Sequence, residues 1–537
     1  MRAVRLQHAL RRGFCAAQKI HDKIKPATPL APIGVTRIRY IDRNIITELL
    51  KINNFTDQEI KTSYNKLVSD GEHIKKDSLK KQLSSIYVAN NMHIDDDEQT
   101  RLVNTLIPNE KVDYSEYKKS ILHYGERIDK RVYKIGLSFL LTGSSIGIIV
   151  PCLPLLVNML HLTSLQYGGI VGSFAVAKLI GNIPSAYFTD ELGRKPVLLS
   201  GLLICSLGLS GVALVTLPLP HYIAFSTLIC CRFLTGLGVS AFTSGAYTLL
   251  TDISTPLNRA RSISPVMSAF QAGISVGPAL GGILIENFGI ATTYLVCGGS
   301  LLSVAALVHF MVSETKLDIF RPNPVIPAPK TDLIQGSIDS FSVASKSWRE
   351  IMATNAAVTD VMSLQFTYWF TLSSVQMVTL PLLMISDKFH LGASEIGTSF
   401  ALMAIFSLCT NQPSAYFADK KGKFNTILLG GVCLTSAYAL LPFASTYYEL
   451  LCVLVPLSIG SSILQSIPIT VITDLVSSSQ RNQALSLHRT IGDIGLLAGA
   501  LFSGVLFDIN SAPHINAGII ACSLLYFRLR KDRISKK

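Results

Sequence analysis

Long apolar stretches recur along the chain after residue 134, and short polar loops separate them. A helix needs about 20 apolar residues in succession to cross a bilayer. We therefore predict twelve membrane-spanning helices, placed at 134–158, 166–188, 196–217, 221–250, 262–286, 290–312, 356–386, 394–418, 424–445, 448–473, 483–507 and 511–528. The pattern predicts an all-α, polytopic membrane protein.

Composition supports this division of the chain. Of 537 residues, 49% are hydrophobic and 15% are charged, whereas soluble domains carry about 25% charge. Residues 1–134 are polar and rich in Lys, which predicts a soluble N-terminal part. The net charge of +13 lies largely in short loops beside apolar runs, and no basic face interleaves with aromatic residues, so we expect the lipid bilayer and not nucleic acid as a partner.

Candidate chemistry of other kinds is absent from the sequence pattern. The ten cysteines form no CxxC spacing, and no paired His accompanies them. Such cysteines in apolar runs are typical of small packing residues. No nucleophile, metal cluster or phosphate loop stands out, so we expect no enzyme activity, no catalytic residue, no metal site and no cofactor.

The first 21 residues have the character of a mitochondrial presequence. They are basic through Arg2, Arg5, Arg11, Arg12 and Lys19, and they contain no acid. Cleavage after Phe14 would fit the matrix processing peptidase. A basic cytosolic tail and a plastid address are the alternatives. We assign residues 1–30 to the presequence and a linker.

Residues 35–128 predict a small soluble helical domain. Thr56 followed by Glu59 is a capping-box pattern that begins a helix. A turn at Asp70-Gly71 follows, and the acids 95–97 open a second unit. This layout resembles a paired EF-hand, with Val112, Asp113 and Glu116 at loop positions eight, nine and twelve.

Calcium needs several oxygen ligands from one such loop. Counting back from Glu116, the loop starts at Thr105 and places Ile107 third and Asn109 fifth, so two carboxylates are missing. We therefore expect an EF-hand-like fold with lost or weak calcium affinity. The acids 95–97 are read as a charged helix N-terminus.

Basic residues in the loops predict the orientation of the helices. With both termini on one side, that side carries nineteen Lys and Arg residues, and the other side carries Lys388 alone. We expect both termini in the cytoplasm, or in the matrix if the presequence is real. The predicted location is then the mitochondrial inner membrane.

The membrane part contains an internal repeat. The run 182–190 recurs as 411–419 at an offset of 229 residues, and the dipeptide 251–252 with Arg259 recurs as 473–474 with Arg481 at an offset of 222. Each pair falls at matching places in helices one to six and seven to twelve. Two parallel repeats place a substrate site at their interface. We thus expect a six-helix bundle at 134–313, a central loop at 314–350, a second bundle at 351–529 and a basic tail at 530–537.

The loop between helices two and three carries Asp190, Gly193, Arg194 and Lys195. It resembles the major facilitator signature G-x-x-x-D-x-x-G-R-K, with Ala186 where the first Gly normally stands. This resemblance implies the major facilitator fold. It also implies gating roles for these residues, with Arg194 pairing with Asp252, and for their mirrored partners Asp419, Lys423 and Asp474, with Arg259 and Arg481 at the matched loops. A basic loop that only fixes topology is the alternative.

Two further motifs resemble drug/proton antiporters of the tetracycline-resistance-like branch. Arg232 opens an R-F-x-x-G-x-G run in helix four, and Gly273, Gly277, Pro278 and Gly281 form the helix-five signature. An intramembrane Arg is costly and normally functional, although a packed Arg that snorkels to the interface is the alternative. The acidic residue expected in helix one is Thr142 here, so proton exchange cannot simply be carried over.

Other intramembrane polar residues are candidates for substrate binding or coupling. A lone Lys178 would favour an anionic substrate, unless it pairs with Asp493. Arg489 and Asp493 are four apart and would alternatively pair with each other. His488 is a coupling candidate because a histidine can titrate near neutral pH. The remaining candidates are cavity-lining or core residues of helix seven, namely Gln365, Tyr368, Trp369 and Gln376.

The sequence thus favours a secondary transporter of a small organic solute that works by alternating access, with protons as the candidate coupling ion. A non-transporting receptor or assembly protein that docks partners through its N-terminal domain is the alternative function. We expect a monomer in either case.

Overall fold

The computed structural model describes residues 52, 55–68, 73–77, 79–81, 100, 103–104, 111–255, 257–312, 314–315, 333–476, 480–505 and 511–530. The predicted presequence, the acids 95–97 and most of the basic tail lie outside these residues. The chain divides into two compact units, Met1–Arg127 and Ile128–Lys537, which are described separately.

The described residues of the first unit form two helices and a short strand pair. Helix α1 (Asp57–Leu67) begins at the predicted capping box, which is confirmed: the Thr56 side chain accepts from the backbone N–H of Glu59, and the Glu59 side chain accepts from that of Thr56. Strands β1 (Ile74–Lys75) and β2 (Lys111–Val112) pair antiparallel, with Ile74 opposite Val112. Helix α2 (Tyr114–Glu126) follows β2 directly, and Asp113 caps it.

The second unit opens with long apolar helices. They are α3 (Arg131–Met159), α4 (Ser164–Leu192), α5 (Arg194–Val212, extended by a 3-10 turn at Ala213–Thr216), α6 (His221–Asp252) and α7 (Arg259–Met311). Helix α7 covers the two helices predicted at 262–286 and 290–312. Its backbone is not helical at Gly289, where φ is 78°, so it comprises two helices that meet at a kink.

The rest of this unit repeats the pattern after helix α8 (Leu333–Thr354), most of which lies in the segment predicted as a central loop. The following elements are α9 (Ala356–Thr371), a π-helical stretch (Leu372–Thr379), α10 (Leu380–Ile385), α11 (Ala393–Lys421), α12 (Lys423–Leu440, then a 3-10 turn at Leu441–Phe443), α13 (Tyr447–Leu475), α14 (Arg481–Val505) and α15 (Ser511–Leu529). We call α3–α7 the first half and α9–α15 the second half.

Nine helices of the described chain are long and apolar enough to cross a membrane. One of them, Arg261–Met311, contains the Gly289 kink. Helices α14 and α15 are not among the nine, since α14 carries Arg489 and Asp493 and α15 carries His514 and Asn516. These polar residues lower their hydropathy, although both helices pack against their neighbours as the others do.

The two halves share local geometry at the repeated positions. His161 and His390 both have φ of 50°, and Gly193 and Gly422 have φ of 110° and 94°. Helix α4 begins at a capping box at Thr163, and at the start of α11 the Glu395 side chain accepts from the backbone N–H of Gly392 at 2.9 Å. Positive φ is uncommon in residues other than Gly. Its recurrence at the same offset therefore indicates that the two halves share backbone conformation as well as sequence.

The turns at Gly193 and Gly422 lie on one face of the unit, which we call the basic-loop face. The face that bears His161 and His390 is called the opposite face. The halves bring their backbones together toward the opposite face, where a Cβ on Gly168 would lie 3.0 Å from the Cα of Gly504. The Tyr167 hydroxyl also donates to the Met377 carbonyl there, at 3.0 Å.

Candidate functional site

A cavity of about 360 Å³ lies between the two halves. Such a volume is within the usual range for small-molecule sites. Of the predicted candidates, Arg232, Tyr368, Trp369 and Gln376 line it. The other described lining residues are Ile146, Ile149, Val150, Leu153, Tyr167, Val171, Phe174, Thr235, Gln271, Ile274, Ser275, Pro278, Leu372, Met377, Pro381, Phe400, Met403, Ala404, Ser407, Ser458, Ser461, Gln465 and Leu496.

Helix seven, as predicted, corresponds to α9, the π-helical stretch and α10. The Tyr368 hydroxyl donates to the Ser461 carbonyl at 3.2 Å, and the Gln376 amide donates to the Ser461 hydroxyl at 2.6 Å. Gln365 does not line the cavity: it is 3% exposed, and its Nε2 faces Gly492 of α14.

Arg232 presents its guanidinium to the cavity from α6. Its Nε is buried and has no hydrogen-bond partner within the described residues. The guanidinium carbon lies 5.0 Å from the centre of the Phe174 ring. A cation–π contact of this kind contributes about 0.5–2 kcal/mol, whereas a buried donor left unpaired costs about 1–3 kcal/mol, and more when charged. The ring contact therefore leaves the buried Nε donor of Arg232 unsatisfied.

Lys178 and Asp493 form an ion pair between the halves, from α4 to α14. The Lys178 Nζ lies 2.7 Å from one oxygen of Asp493, and the Asn182 amide donates to the other oxygen at 2.9 Å. The hypothesis of a lone Lys178 is therefore wrong, because a carboxylate from the other half neutralises it. The alternative pairing of Asp493 with Arg489 is also not formed.

Arg489 contacts α6 instead. Its guanidinium carbon lies 4.2 Å from the centre of the Tyr247 ring, which is a second side-chain link between the halves. The neighbouring His488 is 2% exposed, and its Nε2 has no hydrogen-bond partner in the described part of the chain.

The Asp190 loop is held through Arg194. The Arg194 Nε donates to Asp252 at 2.8 Å, which joins the start of α5 to the end of α6. Asp190 contacts Arg194 only at 3.7 Å, and its side chain is 69% exposed. Asp190 is therefore available for another partner, while the predicted pair of Arg194 and Asp252 is present.

The end of α7 completes this cluster. The Glu314 carboxylate accepts from the backbone N–H groups of Arg194 and Lys195, at 3.1 and 2.9 Å, and so caps α5. The Thr315 hydroxyl donates to Asp252 at 2.9 Å. The Lys195 ammonium donates to the His309 carbonyl at 2.7 Å. Glu314 was missed in the sequence, because only the fold brings it beside a helix start 119 residues earlier.

The second copy of the loop repeats the ion pair in weaker form. Lys423 at the start of α12 lies 2.5 Å from Asp474 near the end of α13. Asp474 is 64% exposed there, against 19% for Asp252. Asp419 is exposed. Arg259 and Arg481 are the first residues of α7 and α14.

The glycines of the helix-five signature lie against α3. A Cβ on Gly277 would lie 2.6 Å from the Cα of Gly147, and one on Gly273 would lie 2.7 Å from the Ser144 nitrogen. Gly281 faces Pro151 in the same way, at 3.0 Å. Pro278 lies within α7 and lines the cavity. These contacts bring the backbones of the first and fifth predicted helices against each other.

Two acids that the sequence analysis passed over make long-range contacts. Asp360 in α9 is 2% exposed and accepts from the Tyr526 hydroxyl at 3.1 Å, with Arg530 3.6 Å away. Glu286 of the first half accepts from the backbone N–H of Ser394 at 3.0 Å, at the start of α11. In the part of the chain that is described, no three His, Cys, Asp or Glu residues come together as a metal site.

Comparison with known proteins is decided by one match. A sequence model described as Major Facilitator Superfamily matches residues 135–375 and 361–537. The chain belongs to the Major Facilitator Superfamily. The predicted resemblance to this superfamily is thereby confirmed, and the protein is a multi-pass membrane transporter.

Its relatives in the superfamily are distant. It is 24% identical to the uncharacterized MFS-type transporter MJ1560 of Methanocaldococcus jannaschii, over 71% of this chain and 92% of that protein. It is also 24% identical to the quinolone resistance protein NorA of Staphylococcus aureus, over 76% of this chain and 98% of that protein. The solved structure of the human organic anion transporter MFSD10 (TETRAN) is similar in fold, with a TM-score of 0.55 and 18% identity over 74% of this chain and 98% of that one.

Proposed function

We propose that the chain is a secondary active transporter that moves a small organic solute by alternating access, through twelve helices arranged as two parallel-repeat bundles of six. The observation that carries this proposal is the cavity between the halves, flanked by ion pairs at matched repeat positions. Counting the kinked α7 as two helices, and including α14 and α15, gives the predicted twelve. Names of relatives span quinolones and organic anions and describe only those proteins.

The loop charges serve as the gating elements in this proposal. At the basic-loop face, Arg194–Asp252 joins the start of α5 to the end of α6. Lys423–Asp474 joins the start of α12 to the end of α13 in the same way. An alternating-access protein populates at least two states, and only contacts that differ between the states bias their equilibrium. Asp190, which is exposed in this state, is proposed to contact the N-terminus of α14 when the basic-loop face closes.

Alternation is tested by distances across each face. Spin labels at Ser164→Cys with Ser511→Cys report the opposite face, and labels at Glu191→Cys with Gln483→Cys report the basic-loop face. The labelled protein is reconstituted with panels of candidate solutes, and we expect the distances in the two pairs to change in opposite directions. We also expect uptake into proteoliposomes to fall in Arg194→Ala. Distances that never change, together with no uptake of any solute, would remove the proposal.

Proton coupling is a part of the proposal that rests on the cluster around Asp493. Asp493 is 7% exposed and His488 is 2% exposed, and both lie in α14. A proton on Asp493 would release Lys178, so solute movement would then depend on a pH gradient. Uptake with and without an imposed gradient tests this, and equal rates would exclude coupling to protons.

The proposed location is the mitochondrial inner membrane, with both termini in the matrix. Its support is the basic, acid-free run 1–21. Protease treatment of mitoplasts and of inside-out vesicles, with a tag after Lys537, tests both statements. Recovery of the protein in plastid or plasma-membrane fractions would contradict the location, and cleavage of the tag in intact mitoplasts would contradict the orientation.

For the first unit we propose an EF-hand-like fold with little calcium affinity. The antiparallel pairing of Ile74 with Val112 suits this fold, while Asp113 already accepts from the backbone N–H of Glu116 at 2.8 Å. Calorimetric titration of the full chain with calcium should give no saturable heat. Deleting residues 40–125 also separates transport from a docking role, since a receptor would lose its partners and a transporter would keep solute flux.

A further inference from the structure

We infer that the cavity between the halves binds an amphipathic organic anion, whose acidic group pairs with Arg232 and whose apolar body lies against an aromatic wall formed by Phe174, Trp369 and Phe400. This inference rests on the proposed transport function and adds the chemical class of the solute. It does not use Lys178, whose charge is already matched.

Charge balance in and beside the cavity is the first step. None of the described residues that line the cavity is Asp or Glu, and Arg232 is the one formally charged residue among them. The Asp493 carboxylate of α14 does not line the cavity and is held by Lys178 and Asn182. Among the described lining residues the cavity therefore carries one positive charge and no negative charge, and such a charge favours an anion.

The geometry of Arg232 is the second step. Phe174 lies against the guanidinium at 5.0 Å, and a cation–π contact engages the charge without using an N–H. The five donors of a guanidinium lie at its edge in a fixed fork. With its Nε buried and unpartnered within the described residues, Arg232 has not reached the membrane interface by snorkelling. Since the buried Nε is not accessible from the cavity, a carboxylate or sulfonate would pair with the two terminal nitrogens of Arg232 through two parallel hydrogen bonds.

The aromatic wall is the third step. The Tyr167 and Tyr368 hydroxyls donate to backbone carbonyls, so these two donors are already used. Phe174, Trp369 and Phe400 line the same space, which suits an aromatic or aliphatic body. A strongly hydrated inorganic anion would lose its water without gaining contacts at this wall, whereas an amphipathic anion gains both kinds of contact.

The test compares three probes of one shape that differ in charge: naphthalene-2-carboxylate, 2-naphthamide and 2-(aminomethyl)naphthalene. Binding to the full chain in nanodiscs is measured by calorimetry, for the wild type, Arg232→Gln, Arg232→Lys and the surface control Arg261→Gln. We expect the carboxylate to bind about tenfold or more tightly than the amide, and the amine more weakly still. Arg232→Gln should lose this preference, Arg232→Lys should keep part of it, and Arg261→Gln should keep all of it.

The inference is overturned if the carboxylate binds no more tightly than the amide, or if Arg232→Gln retains the preference. The spin-label distances described above are recorded on the same variants, and they report alternation whatever the charge of the probe. Opposed distance changes without an anion preference would remove the substrate class and leave the transporter. Absence of both would remove the proposed function.

Discussion

The ammonium of Lys178 lies 2.7 Å from the carboxylate of Asp493, although the two residues are 315 positions apart and belong to different halves of the repeat. Asn182, one turn along from Lys178, donates to the second oxygen of the same carboxylate. Each oxygen of the Asp493 carboxylate therefore has one partner from α4. Any movement of α14 away from α4 must break this ion pair, unless α4 moves together with α14.

The first prediction concerns the stability of this pair. Removing one partner of a buried ion pair typically costs about 3–5 kcal/mol, because the other charge stays buried and unpaired. Lys178 is 27% exposed, so we expect about 3 kcal/mol or less for Lys178→Gln and for Asp493→Asn. The double variant should recover most of the loss. Thermal melts of the solubilised protein measure this, and a double variant that is as unstable as the two losses summed would contradict it.

The second prediction separates the two loop ion pairs. Arg194 and Asp252 have side chains 18% and 19% exposed, whereas Asp474 is 64% exposed. Exposed pairs contribute about 0–1 kcal/mol, so Arg194→Gln should shift the balance between the states far more than Lys423→Gln. Cysteine accessibility at the cavity, with Lys421→Gln as the control, measures the shift. Equal shifts in the two variants would show that the two loop ion pairs contribute equally to the balance between the states.

The third prediction uses two glycines that differ in surroundings. A Cβ on Gly277 would meet backbone atoms of α3 at 2.6 Å, while a Cβ on Gly169 meets nothing within 4 Å. Backbone atoms cannot move aside, so Gly277→Ala should destabilise by about 1–3 kcal/mol. Gly169→Ala should be neutral or slightly stabilising, since Ala favours helix over Gly by about 1 kcal/mol. Melting temperatures of both variants give the comparison, and a tolerated Gly277→Ala would refute the close contact.

The fourth prediction concerns pH and the first unit. Hydrogen bonds from Lys118 and Tyr114 lower the pKa of Asp57 below 3.8, with Lys118 at 2.6 Å. A depressed carboxyl pKa stabilises the folded state above the unfolded pKa, and this contribution is lost as the pH falls through the folded pKa. The contact between α1 and α2 should therefore weaken below about pH 4.

Hydrogen exchange of residues 57–67, corrected for the intrinsic pH dependence, measures this loss. Lys118→Gln should raise the pKa of Asp57 and reduce the pH dependence, and Lys119→Gln serves as the matched control. Protection in the wild type that is constant from about pH 6 to pH 3 would show that the pair does not contribute.

Sequence reasoning succeeded where the signal was local or repeated. The helix bounds near Ala356 and Tyr447 were found within a few residues, because apolar length alone defines a span. The pairing of Arg194 with Asp252 was predicted from the resemblance of the loop to the major facilitator signature, and the structure contains it. Sequence reasoning failed for Glu314 and Glu286, because their contacts depend on which helix ends meet in the fold.

The membrane character and the duplicated order of the helices were determined by the sequence itself, since both depend on apolar length and on residues that recur at a fixed offset. Only the tertiary structure decided which charges are neutralised. Lys178 and Arg232 are both cations in apolar helices, and nothing local distinguishes them. Packing of α4 against α14 gives Lys178 a carboxylate, while Arg232 faces the cavity without one in the described chain. The difference arises because electrostatic pairing depends on distances across the fold.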